Sequence, residues 1–228
     1  MTVPPTTRAA AALATAAVAF AAYPALRGYG DETGLAGAAL YARPTWVLAH
    51  LLGMLGFVLV ATGLGAVDAT AARWARWGAF GVLPYYGAEA YGLHALGLAV
   101  GRTGHADMTS AADLFRYQPV ALTTFTLGWV AFAVAGVRLA RLARPVTAAG
   151  GAARVGLLAT ATALVTYLPQ FFLPPAGRVV HGLLLAAGLL LLAVTLARHE
   201  AAPVVEPVPG PAASPARTAV EDAIASGA

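Results

Sequence analysis

Long apolar blocks separated by short polar connections run along the chain. A block of about 20 mostly apolar residues is enough to cross about 30 Å of hydrocarbon. Six blocks meet or approach that length, at about 9–26, 44–67, 77–100, 119–140, 155–173 and 179–197. Pro44 opens the second block, in the first helical turn where a missing N–H costs least. The third block carries Pro84, Glu89 and His94. The pattern predicts an all-α integral membrane protein: a six-transmembrane-helix bundle over residues 1–200. After Glu200 the sequence turns to AAPVVEPVPGPAASPAR, with too few large apolar side chains to form a core. Residues 201–228 are therefore expected to be a disordered Pro/Ala-rich cytoplasmic tail. The first block also resembles a cleavable signal peptide, with Arg8, an apolar run and Ala19-Phe20-Ala21. Against cleavage, only one charge precedes the run, which continues to Leu26. A loose internal echo joins ATAAVAFAAYP to ATATALVTYLP, each followed by an arginine and then a block bearing a histidine. In so alanine-rich a chain, chance similarity remains an open alternative to a repeat.

Composition narrows the class. Of 228 residues, 59% are apolar and 11% charged, and the mean hydropathy is +0.72. A soluble domain carries about 25% charged residues, so a soluble globule, a disordered chain and a nucleic-acid module are all excluded. There is no cysteine, which removes disulfides, thiolate metal sites and thioether-attached haem. All fourteen basic residues are arginine, and the formal net charge is +4. Placing the N-terminus inside puts Arg8, Arg73, Arg76, Arg138, Arg141, Arg144, Arg154, Arg198 and Arg217 in the cytoplasm. The outer side then holds Arg27, Arg43, Arg102, Arg116 and Arg178, accompanied by Asp31, Glu32, Asp107 and Asp113. That bias satisfies the positive-inside rule with both termini cytoplasmic. Abundant Ala, Gly and Arg with no Lys suggests a high-GC genome, hence a bacterial plasma membrane. The expected partner is the lipid bilayer; nothing points to nucleic acid.

No nucleophile elbow, zinc-protease helix, phosphate loop or dinucleotide fingerprint is present. Polar groups at membrane depth then become the candidates, because they are expensive there and default to a functional reading. At about 1.5 Å per residue, His50 and Glu89 fall at similar levels in the outer half, with His181 somewhat shallower. His94 lies about 140° around a straight helix from Glu89, so it joins the same site only if Gly92 or Pro84 distorts the third block. Tyr85 and Tyr86 precede Glu89 on one face, and Gln170 closes the fifth block. The expectation is one outward-open pocket uniting His50, Glu89 and His181, with His94 a weaker fourth member and Tyr85, Tyr86 and Gln170 nearby. Two imidazoles and a carboxylate would suit a divalent ion, zinc or iron. His50 and His181 alone would suit the axial positions of haem b, with a quinone as redox partner. Either would support redox or metal-assisted chemistry. The alternative is a small transporter, a proton-coupled carrier or an accessory or assembly subunit, alone or in an oligomer. A dry inner half argues against a transport path. Gly53 and Gly56 read as close helix packing.

Overall fold

A computed structural model of the chain describes residues 4–144 and 151–201, so the expected tail beyond Ala201 lies outside the described residues. Every regular element among them is helical. In chain order these are α1 (Pro5–Leu26), α2 (Gly34–Tyr41), α3 (Pro44–Gly63), α4 (Ala69–Gly87), α5 (Leu93–Thr103), α6 (Ala111–Arg116), α7 (Pro119–Leu142), α8 (Gly151–Val165) and α9 (Pro175–Ala201). Four are long and apolar enough to cross a membrane: α1, α3 with the single 3-10 turn that extends it to Ala66, α7, and α9. Helix α8 is apolar but shorter. The protein is therefore an all-helical chain with the marks of a membrane protein.

Prolines set most of the starts. Pro5, Pro44 and Pro119 each occupy the first turn of their helix, where the absent N–H would have had no partner. Asp68 caps α4 by accepting the Ala71 N–H at 2.7 Å, and Arg138 of α7 pairs with it at 3.0 Å. Proline also explains an ending that the hydropathy missed. The fifth apolar block, expected to run helical over 155–173, stops at Val165. Pro169 cannot donate the N–H that the Val165 carbonyl would need, so the chain passes into a 3-10 turn at Pro169–Phe172.

The helices close into a ring. α1 packs on α3, α3 on α4, α4 on α7, α7 on α8, α8 on α9, and α9 returns to α1. Glycines let backbones approach closely where α4 crosses α7, and also where α9 meets α1 and α8: a Cβ on Gly81 would fall 2.7 Å from the Gly128 Cα, on Gly182 2.7 Å from the Phe20 carbonyl and on Gly188 2.6 Å from the Thr160 nitrogen. Between apolar helices in lipid, such small-residue contacts supply dispersion that the hydrophobic effect does not. The middle of the ring is aromatic. Phe57 of α3 meets the rings of Phe20, Tyr86, Trp129, Phe132 and Tyr167, all at 5.0–5.4 Å between centroids. At one end, two connections fold into short helices rather than loops: α2 packs on α5, and α6 follows a 3-10 turn at Ala106–Ser110.

Candidate functional site

Helices α4 and α5 form one helical path with a defect in it. Pro84 lies inside α4, and residues Ala88–Gly92 make a π-helical turn before α5 resumes. π turns shift the register of everything beyond them and occur often at functional sites. Here the turn carries Glu89, whose backbone carbonyl accepts the indole N–H of Trp46 at 2.7 Å. Trp46 and His50 are one turn apart on α3, and the His50 Nδ1–H donates to the Trp46 carbonyl at 2.7 Å. With the proton on Nδ1, the neutral ring turns a lone pair on Nε2 toward Glu89 Oε2. That separation is 3.7 Å, too long for a direct hydrogen bond. Two acceptors therefore converge on a space that a proton donor would fill.

Glu89 is 7% exposed and is compensated by a cation from outside the apolar blocks. Arg116, the last residue of α6, grips it bidentately: Nε to Oε1 at 2.6 Å and Nη2 to Oε2 at 3.0 Å. Its remaining Nη1 meets Glu32 at 2.8 Å, and Arg27 meets the other Glu32 oxygen at 3.0 Å. The result is a continuous polar chain, Arg27–Glu32–Arg116–Glu89–His50. Burial works to raise the Glu32 carboxyl, but Arg27 and Arg116 outweigh it and hold its pKa below the ordinary carboxylate value. Tyr41 donates its hydroxyl to the Glu32 carbonyl at 3.0 Å, fixing the turn that presents this acid.

This chain forms the polar side of a pocket of about 460 Å³, within the range of about 300–1,000 Å³ usual for small-ligand sites. His50, Glu89, Glu32, Arg27, Arg116 and Arg178 supply its charged and imidazole groups. Tyr23, Tyr85, Tyr86 and Tyr117 line it, and Leu122, Phe125, Leu168, Phe171 and Phe172 complete the apolar wall. Tyr85 stacks on Phe125 with centroids 4.0 Å apart. Tyr86 is 2% exposed, and its hydroxyl makes no hydrogen bond of good geometry although the phenols of Tyr23 and Tyr167 lie close.

The set expected from the sequence gathers only in part. His50, Glu89, Tyr85 and Tyr86 line one pocket. His181 and Gln170 line a much smaller adjoining cavity of about 20 Å³, which shares Tyr23, Arg27, Phe171 and Arg178 with the first. The His181 Nε2 lies 3.0 Å from the Ala163 carbonyl and 3.1 Å from Thr166 Oγ1, so its polar edge is turned to α8. His94 is farther from the pair: its Nδ1 lies 2.9 Å from the Tyr41 carbonyl. Among the described residues no group of three or more His, Asp or Glu side chains is placed to hold a metal ion. Of the four residues expected as metal ligands, only His50 and Glu89 line a common pocket. His50 and His181 line separate cavities, so the arrangement lends the haem reading no support.

Arg116, Glu32 and Arg27 were not among the sequence candidates. They lie in segments that hydropathy assigns to outer connections, and topology alone accounts for arginines there. The signal available was Glu89 itself, which at membrane depth requires a partner. Comparison with known proteins adds no assignment: no family model fits the sequence, and no curated protein or solved structure shows significant similarity to it.

Proposed function

We propose that this is a six-span protein of a bacterial plasma membrane, with both termini cytoplasmic, whose outward-facing pocket binds a small amphipathic molecule. The single observation that carries the reading is the union, in one cavity of ligand size, of a buried polar chain ending at His50–Glu89 and an aromatic wall. The polar chain would hold the ligand's polar head. The aromatic wall would hold its apolar body. A quinol falls in this class. Ring closure through α4–α5 and α8 supports six passages, although only four helices meet the length and hydropathy of a span by themselves. The pocket lies at the end of the bundle that carries the 27–43 and 101–118 connections, the side with the fewer arginines.

Binding is favoured over transport because the polar chain occupies one end. The middle of the ring is filled by Phe20, Phe57 and Phe132, each at most 1% exposed, which leaves no polar path between the ends.

Native mass spectrometry of the full chain, released gently from its membrane, tests this. The wild-type protein is expected to carry a small-molecule adduct that is lost in His50→Ala and in Phe125→Ala. Identical spectra for the three proteins would overturn the reading.

A further inference from the structure

The charges lining the pocket do not balance. Three guanidinium groups, Arg27, Arg116 and Arg178, face two carboxylates, Glu32 and Glu89, which leaves one positive charge in surplus. The pairing shows where the surplus lies. Arg116 holds Glu89 through two bonds and Glu32 through a third, and Arg27 takes the remaining Glu32 oxygen. Arg178 has no carboxylate. Its Nε donates to the Leu173 carbonyl and its Nη2 to the Phe171 carbonyl. These two bonds, with the Tyr29 ring 5.7 Å from the guanidinium carbon, hold the group at the pocket and leave Nη1 without a hydrogen-bond partner among the described residues. A cation held rigidly by neutral carbonyls, in a cavity whose acids are already engaged, is complementary to an anion.

The opposite side of the pocket sets the rest of the ligand. Phe171, Phe125 and Leu168 form an apolar floor, and at its rim Phe172 is 87% and Tyr117 63% exposed. This rim opens between the start of α7 and the 3-10 turn at Pro169–Phe172, where Pro169 has ended α8 early. If this rim lies at the level of the bilayer's outer boundary, as the proposed topology puts it, a chain longer than the cavity can leave along it toward hydrocarbon. A volume of about 460 Å³ suits one alkyl chain and its head.

We infer that the pocket takes a single-chain amphiphile with one anionic head, of the fatty-acid type. The head lies against Arg178, and the chain runs along Phe171 and Phe125 to the opening beside Tyr117. The inference rests on the pocket's being a binding site, as proposed above, and adds the charge and shape of the occupant.

The test uses purified full-length protein in a neutral detergent and three probes of one chain length: dodecanoate, dodecanol and dodecylamine. Each competes with a brominated stearate, which quenches tryptophan fluorescence when bound. Dodecanoate is expected to displace the reporter at least about tenfold more tightly than dodecanol, the value of one charge-assisted hydrogen bond, and dodecylamine most weakly. Arg178→Gln is expected to bring dodecanoate down to the level of dodecanol while leaving dodecanol unchanged, which also reports that the pocket still folds. Tyr117→Glu places a negative charge at the exposed rim, and is expected to weaken dodecanoate and strengthen dodecylamine. Equal displacement by all three probes would overturn the anionic head while leaving the binding pocket in place. Phosphatidylglycerol in nanodiscs competing as tightly as dodecanoate would overturn the single-chain ligand in favour of a phospholipid. Failure of the brominated stearate itself to bind would overturn the inference, and the native adduct would then decide separately whether the pocket binds anything.

Discussion

Glu89 stays within the bundle because both of its carboxylate oxygens are held by one guanidinium. The Arg116 and Glu89 side chains are 13% and 9% exposed, so water screens their pairing little. Such a pair is weak evidence of stability as it stands, since desolvation offsets most of the attraction, but removing one partner strands the other. Glu89→Ala is therefore expected to lower stability by about 3–5 kcal/mol, toward the lower figure because Glu32 still faces Arg116. Arg138→Ala, which removes a 42%-exposed partner from Asp68, is expected to change stability little. Thermal unfolding in detergent compares the two. If the two variants lost equal stability, the Glu89 pair would carry no more weight than a surface contact. Glu89 was legible in the sequence because a carboxylate in an apolar block is conspicuous. Arg116 was not, because nothing in FRYQP marks that arginine off from the other four on the outer side.

At the scale of elements, the site depends on one irregular turn. The π turn at Ala88–Gly92 fits an extra residue between α4 and α5, and so sets the rotation of α5 relative to α4. On a straight helix His94 would sit 140° from Glu89; with the turn present it reaches the Tyr41 carbonyl beside α2. Gly97 completes this docking, since a Cβ there would fall 2.6 Å from the Ala38 carbonyl. Deleting Ala90 is expected to restore regular α-helix and rotate Leu93–Thr103 by about 100°. The Trp46 indole would then lose the Glu89 carbonyl, and α5 would lose α2. Displacement of the brominated stearate is expected to disappear while far-UV helicity is retained; binding at the wild-type level would show that the turn does not position the site. The apolar blocks were readable because each runs for about 20 mostly apolar residues, a length that only a buried or membrane-crossing helix uses. The turn was not, because Pro84 signals a distortion without its size or place. Helices α2 and α6 span only eight and six residues, too short for a period to show.

At the scale of the whole molecule, what matters is that the ring closes through its first and last helices. Helix α1 contributes Phe20 to the aromatic centre, and Tyr23 and Arg27 to the pocket, so the site is incomplete without it. Its far end meets the end of α9, where the Thr7 hydroxyl donates to Glu200 at 2.6 Å. Matched contacts occur on either side of α1 and α9: Tyr23 of α1 packs edge-on to His50 of α3 at 5.7 Å, and Tyr167, just after α8, packs edge-on to His181 of α9 at 5.2 Å. These are the tyrosines of the two stretches whose sequences echo each other and the histidines of the blocks that follow them. Because the chain has no cysteine, closure is directly testable. In Thr7→Cys/Glu200→Cys, a short bismaleimide is expected to join the two thiols within one chain, giving a faster-migrating band. In Thr7→Cys/His105→Cys no such band is expected, because His105 lies at the opposite end. Applied to intact cells as an impermeant reagent, the maleimide is expected to label His105→Cys alone if the proposed six passages with cytoplasmic termini hold, since positions 7 and 200 would then be inside. Labelling at 7 and 200 from outside would invert the orientation and turn the pocket to the cytoplasm. Absence of the first cross-link in permeabilised cells would mean that α1 does not close the ring, and the pocket would lose Tyr23 and Arg27.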